Sequence, residues 1–532
     1  MKPRRLCRGL EVLAAVGLAL TPIRSCLAGQ ENAVGIDKAQ VPKWSGDDLD
    51  FFLHGSMSTE VIPEVVLRAF IKTYPELFPT NDLSHLGLIA DPSFGWPIGL
   101  SRKKVSHLGG LPALGINCAS CHVAEVTSSS AAKPIRLLGA TSHFDVEAFF
   151  GSVLVATFKT SDPANMKRFL SAYLSQTAAA GGDEAQKVFE SAWQAQEEKI
   201  IAAIKADPFG GKDMAGQLHQ IDQGDLKLDS KQPDLAALSH SMLKLFHNMR
   251  AALHVPDQPP EKLPPASGPG RNDAFGILSA SLLNAPQPYA PIKFGLVWNI
   301  DQRTWVHWDG NTNSPIARNL LASLGLGAPL NGKKGGLEFA MVKRQTDLSE
   351  TIRPPRFPFA IDQAAAKRGA AHFEAKCASC HGGPESDKRL YSVAEVGTDP
   401  NRAGMFTKKV ADGFNKFLAE LEAVGYQPPK EFGVRSTGKY WAASLGGVWA
   451  RSPYLHNGSV RTLQELLTSS TQRTQKFHRG SRKYDSEQMG YNDEGAYVFD
   501  TSQSGNSNSG HNYGVDLSAN EKRELMEYLK TL

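Results

Sequence analysis

Apolar positions recurring every three to four residues mark most of this chain as helix, and no alternating strand pattern of any length stands out. Val61 to Phe78 reads as a helix with Val65, Val66, Phe70 and Ile71 on a common face. Phe144 to Phe158 reads as a buried helix with Asp145 near its start. Residues 161–255 read as a long helical insertion. It includes Asp183 to Ala206, with Val188, Phe189, Trp193 and Ile200 along one side, and Leu235 to Leu253. Asp362 caps an Ala-rich helix running to Lys376. Ser518 with Glu521 forms a capping box that opens a last helix, with Leu525, Met526 and Leu529 on its apolar face.

The segments between are irregular. Residues 29–60 are polar and read as loosely ordered. Pro92 to Gly115 is rich in Gly and Pro, and Pro256 to Gly270 is a Pro-rich connection. Residues 271–350 hold a dense aromatic cluster with little periodicity. Ile352 to Phe359 contains three prolines and is the main expected boundary. The expected units are therefore residues 29–350, carrying the insertion at about 161–255, and residues 351–532.

One pentapeptide occurs twice. Cys118-Ala119-Ser120-Cys121-His122 and Cys377-Ala378-Ser379-Cys380-His381 are identical. C-x-x-C-H is the attachment signal of c-type haem, with two thioether bonds to the porphyrin and histidine as proximal iron ligand. A thioredoxin-type C-x-x-C does not call for the histidine that both copies have. Zinc modules place their ligand pairs tens of residues apart, whereas these copies lie far apart. Two copies predict two covalent haems.

The cysteine count agrees. Of six Cys, four lie in the motifs and two, Cys7 and Cys26, lie in the first 28 residues. Those residues read as a secretory signal peptide: Lys2, Arg4, Arg5 and Arg8, then the short apolar run Val12 to Leu20, then Cys26-Leu27-Ala28, with cleavage expected after Ala28. A periplasmic or secreted location follows, and it suits c-type haem attachment. No later segment reaches transmembrane length, so an integral membrane protein is not expected. Net charge is +4 with both signs mixed throughout, which gives no footprint for nucleic acid.

The sixth position of each iron decides function: a residue there makes an electron store, an open position a place for O2 or peroxide. For the second haem the candidates are Met405, His456, His478, Met489 and His511. His511 is the favoured one, because the flanking glycines let it reach over a haem face beside the last helix. His456, in the turn Pro453 to Ser459, reads as bonding a propionate or backbone. For the first haem, Trp298 to Asn319 is the most suggestive segment. Trp305, His307 and Arg318 form the expected distal pocket, and His143 is either a further pocket residue or a cap of the helix that follows.

These motifs resemble the bacterial di-haem c-type cytochromes related to rubber oxygenase and, more distantly, the di-haem cytochrome c peroxidases and MauG-type enzymes. The matching segments are Leu114 to His122, Ser142 to Phe150, Trp305 to Asn311, Cys377 to His381, Pro453 to Val460 and Gly510 to Gly514. The resemblance implies a mainly α protein with two cytochrome c-like haem domains and long loops. It implies an open distal side at the His122 haem and a bis-histidine haem at His381 and His511. The peroxidase branch places a Met shortly after the P-Y-x-H turn; Leu463 to Phe477 has none. The expected activity is that of an oxidoreductase taking O2 or peroxide, with a small-molecule or protein electron donor. The alternative is an electron-transfer cytochrome with both haems six-coordinate, for which His107, His143 and His307 offer a further ligand.

Overall fold

The computed structural model describes residues 35–532 except 130, 132, 178–182, 213–225, 227–232, 258–265, 330–335, 384–388 and 422–432. The expected signal peptide lies outside the described residues. The chain is mainly helical, with strands of only two to five residues.

Helix limits follow local chemistry. The first expected helix shortens to Glu64–Thr73, because Tyr74 precedes Pro75 and is driven out of the helical region (φ −125°, ψ 66°). Asp145 caps Val146–Lys159 by accepting from the Ala148 N–H. Asp183–Ala206 and Leu235–Ala252 form as the periodicity requires. Together with Pro163–Thr177 they pack on Glu64–Thr73. There Phe70 meets Phe169 at 5.2 Å and Phe246 at 5.4 Å between ring centroids. The segment 29–60 is not loose throughout. A capping box between Ser45 and Asp48 opens the helix Gly46–His54, which buries Phe52 and Leu53.

Short strands flank the first C-x-x-C-H. Leu100–Lys104 pairs antiparallel with Pro112–Ile116, inside the Gly- and Pro-rich stretch. The motif helix Cys118–His122 follows, and Val123–Val126 leads away from it. Asn117 fixes the motif's start. Its Oδ1 accepts from the Ala119 N–H at 2.9 Å, and its Nδ2 donates to the Gly55 carbonyl at 3.0 Å. Gly99 makes this approach possible: at φ 91°, a Cβ there would lie 2.2 Å from Ser120 N.

At the second motif, Asp362 caps Gln363–Lys376, which runs straight into Cys377. The capping box of Ser518 and Glu521 opens Ala519–Lys530, and these two helices cross at close range. A Cβ on Gly369 would lie 1.9 Å from the Glu524 carbonyl oxygen. Gly369→Val is therefore expected to destabilise the protein by about 1–3 kcal/mol or more, read as a lower denaturant midpoint at unchanged slope. Gly369→Ala should show a smaller loss.

Three apolar clusters form the core. One holds the helical insertion. The second joins residues of 41–140 and 297–352 to residues of 373–529, with Cys118 and Cys377 packed against it. The third joins residues of 275–342 to residues of 405–434. No helix among the described residues is long and apolar enough to cross a membrane.

Candidate functional site

Each C-x-x-C-H borders a large cavity. The four motif cysteines form no disulfide. Burial pushes Cys118 and Cys377 up to about 11 and Cys121 up to about 12, opposite to the activation a redox thiol needs. Among the described residues, no three His, Cys, Asp or Glu side chains gather as a metal cluster, so the two motifs do not combine into one zinc site.

The C-terminal cavity, about 1360 Å³ including space open to solvent, is lined by Cys377, Cys380, His381, His456 and His511. His381 Nδ1 donates to the Ala443 carbonyl at 2.9 Å, which leaves Nε2 for a metal. His511 faces it, with ring centroids 6.2 Å apart. An iron held between two imidazoles needs about 2 Å to each nitrogen and roughly 1 Å more to each ring centre, about 6 Å in all. His511 sits at φ 48°. Its N–H donates to Val396 O at 2.8 Å, and its carbonyl accepts from Arg473 Nη2 at 3.2 Å. Its Nδ1 is buried with no hydrogen-bond partner. Burial, then His381 and Arg473, bring His511 down to about 4, so the ring is neutral, as a metal ligand must be.

His456 is held back from this pair. Tyr440 Oη donates to Asp399 O at 2.7 Å and so accepts from His456 Nε2 at 3.1 Å, with the two rings stacked at 4.3 Å. The other sequence candidates lie elsewhere. Met405 is buried beside Arg402 in the third cluster, and Met489 lies in the second. His478 is exposed and paired with Asp493.

The N-terminal cavity is larger, about 1900 Å³ on the same terms. Cys121, His122, His307, Trp308 and Arg318 line it. Cys118 Sγ lies 3.4 Å from Met57 Sδ. Burial, then Arg318, bring His122 down to about 3 against the opposing Gly295 carbonyl, and His122 Nδ1 has no partner at hydrogen-bonding geometry. His307, at φ 72°, donates from Nδ1 to Asn311 Oδ1 at 2.6 Å. Its ring neighbour is Phe275, 5.1 Å away and edge-on, rather than His122. Burial, then Arg318 and Arg402, hold His307 well below the usual histidine range. The accessible part of its ring borders the cavity. Trp305 lines neither cavity: its indole lies under Arg435, 3.5 Å from ring centroid to guanidinium carbon. His143 packs edge-on against Tyr491 at 4.4 Å and also lines neither cavity.

A common wall separates the cavities. Lys293, Trp308, Trp441, Ala443 and Arg451 line both. Trp308 Nε1 donates to Lys293 O at 3.2 Å, and Trp441 N donates to Trp308 O at 2.9 Å. Lys293 and Trp441 escaped sequence reasoning. Only the run Tyr440-Trp441, just before the Pro453 turn, offered a signal.

Much of that wall lies in one recognisable segment. Residues 438–478 match the RoxA-like, cytochrome c-like family. The chain carries a RoxA-like cytochrome c domain. It is 25% identical to the uncharacterized protein y4iJ of Sinorhizobium fredii (strain NBRC 101917 / NGR234), over 98% of each chain. It is 29% identical to y4iM of the same organism, over 51% of this chain and 72% of that one. It is 31% identical to cytochrome-c peroxidase IdrP1 of Denitromonas iodatirespirans, over 20% of this chain and 30% of that one. A chain of hydrazine synthase from Kuenenia stuttgartiensis aligns over 46% of this chain and 74% of that one, at 17% identity and a TM-score of 0.23, too low to carry the fold.

A RoxA-like cytochrome c domain implies covalently bound haem c and an oxidoreductase or electron-transfer role. The residues fit the group. In the C-terminal cavity, two cysteines and two facing imidazoles at iron-spanning distance line one space. In the N-terminal cavity, a thiol and the unpartnered His122 border a space without a facing imidazole pair.

Proposed function

We propose that the chain is an exported di-haem c-type oxidoreductase whose two haem sites have different tasks. The observation that carries this is their asymmetry. His381 has an imidazole partner, His511, across its cavity, whereas the histidine lining the cavity beside His122 is bonded to Asn311 and packed on Phe275. Bound haem supplies one-electron chemistry and, where its sixth position is open, a place to activate O2 or peroxide.

Cys118, Cys121 and His122 hold the first haem, in the unit 29–350. Cys377, Cys380 and His381 hold the second, in the unit 351–532, with His511 as its sixth ligand and His456 fixing the cavity wall. The first site takes O2 or peroxide and the second stores electrons from a small-molecule or protein donor. Asn311 keeps the His307 proton on Nδ1, so Nε2 is the atom that takes a proton from incoming hydrogen peroxide. Arg318 donates to the negative charge that develops there. Trp308 and Trp441, in the common wall, lie on the path between the sites. IdrP1 is named a peroxidase, which supports peroxide as an oxidant to test. Export rests on the basic start and apolar run of residues 1–28.

The test is turnover of a reduced small-molecule donor by fully haem-loaded protein with O2 or peroxide. Wild type should oxidise the donor with one of them. His307→Leu and Arg318→Leu should each lower kcat/KM by about 10²–10³-fold with haem content unchanged. Failure of wild type with either oxidant and several donors would count against an enzyme and for an electron carrier.

A further inference from the structure

Lys293 ends the short strand Ile292–Lys293, is 1% exposed and lines both cavities. Its Nζ donates to the carbonyl oxygens of Arg451 at 2.5 Å and Pro453 at 2.7 Å. Its backbone N–H donates to His456 O at 3.0 Å. One residue thus grips the 451–456 turn at three points from 158 residues earlier in the chain. Burial, then Arg451 and Arg479, both cations, hold its ammonium well below the usual lysine range. No carboxylate among the described residues forms an ion pair with it. Two carbonyl dipoles and the ring faces of Trp308 at 5.4 Å and Tyr454 at 6.0 Å offset only part of the penalty for a buried ammonium. The group that each cavity is built to hold brings the missing charge, because every haem carries two carboxylate side chains.

We infer that Lys293 is the shared counter-cation of the two haem sites, its ammonium locked in the common wall by the Arg451 and Pro453 carbonyls, where it offsets haem carboxylate charge and raises the reduction potential of both centres together. This rests on the two-haem reading above. A fixed positive charge favours the reduced state of a nearby centre, and its reach is long in a poorly polarisable interior. Lys293 acts through charge and position and touches no reacting atom, so it is a positioning residue.

Full-length, haem-loaded Lys293→Gln and Lys293→Arg test this. Gln keeps a donor for the carbonyls and loses the charge; Arg keeps the charge. The readouts are haem count per chain and a potentiometric titration that resolves both centres optically. Lys293→Gln should lower both midpoint potentials together, and Lys293→Arg should leave both near wild type. Reduced haem uptake in the Gln variant alone would support the same assignment. Unchanged potentials, a shift in one centre only, or equal haem loss from both variants would overturn it. One haem in wild type would instead overturn the two-haem reading, so the two failures are distinct.

Discussion

His511→Ala should convert the C-terminal haem centre from six- to five-coordinate and leave the N-terminal centre unchanged. The reason is geometric. The His511 ring stands 6.2 Å from the His381 ring, and the other sequence candidates are committed elsewhere: Met405 and Met489 to the core, His478 to Asp493, and His456 to Tyr440. None of these four is poised to replace it. His511 is also placed by its backbone, through Val396 O and Arg473, so alanine preserves the loop and removes only the imidazole. The variant should lose all of the low-spin signal of that centre and gain binding of CO or cyanide there, read by optical titration. A retained low-spin centre would mean that another side chain is the ligand.

Asp309→Ala should be among the most destabilising single substitutions, by about 3–5 kcal/mol. Asp309 Oδ1 accepts from Arg402 Nη2 at 3.0 Å, and the two side chains are 1% and 2% exposed. Removing the carboxylate strands a guanidinium in the core. The pair also sets the wall behind the N-terminal cavity. Arg402 lies 4.4 Å over the Phe275 ring, and Phe275 supports His307 edge-on. Equilibrium denaturation of the haem-loaded protein should show the loss. Replacing both partners, as Asp309→Leu with Arg402→Met, should recover much of it, because no buried charge is then left unpaired. Equal losses in the single and double variants would mean that packing, rather than charge, holds this wall.

Much of this was legible in the sequence because it is local. Asp145, Asp362 and Ser518 announce helices through their own caps. Asp183–Ala206 forms over the expected residues because its apolar stripe needs no distant partner to define it. His511 could be singled out because flexible glycines flank it just before the last helix; the structure gives the residue itself a left-handed φ. What could not be read depends on distant pairing. Lys293 meets Arg451 and Pro453 across 158 and 160 residues of chain, and no pattern around it marks the meeting. The strands beside the first motif are too short to alternate visibly. Trp305 was preferred over Trp308 because position alone cannot separate them. The Val306–Thr312 bridge and the positive φ of His307 close a tight loop that sends Trp308, not Trp305, to both cavities. The helix Gly46–His54 was missed although Ser45 and Asp48 carry its capping signature.

The most direct test of the asymmetry between the two sites is a low-temperature EPR spectrum of the oxidised, fully haem-loaded protein before and after cyanide. One high-spin centre that binds cyanide, beside one low-spin centre that ignores it, is the expected result. Two low-spin centres, both indifferent to cyanide, would contradict an open N-terminal iron and make the protein an electron carrier.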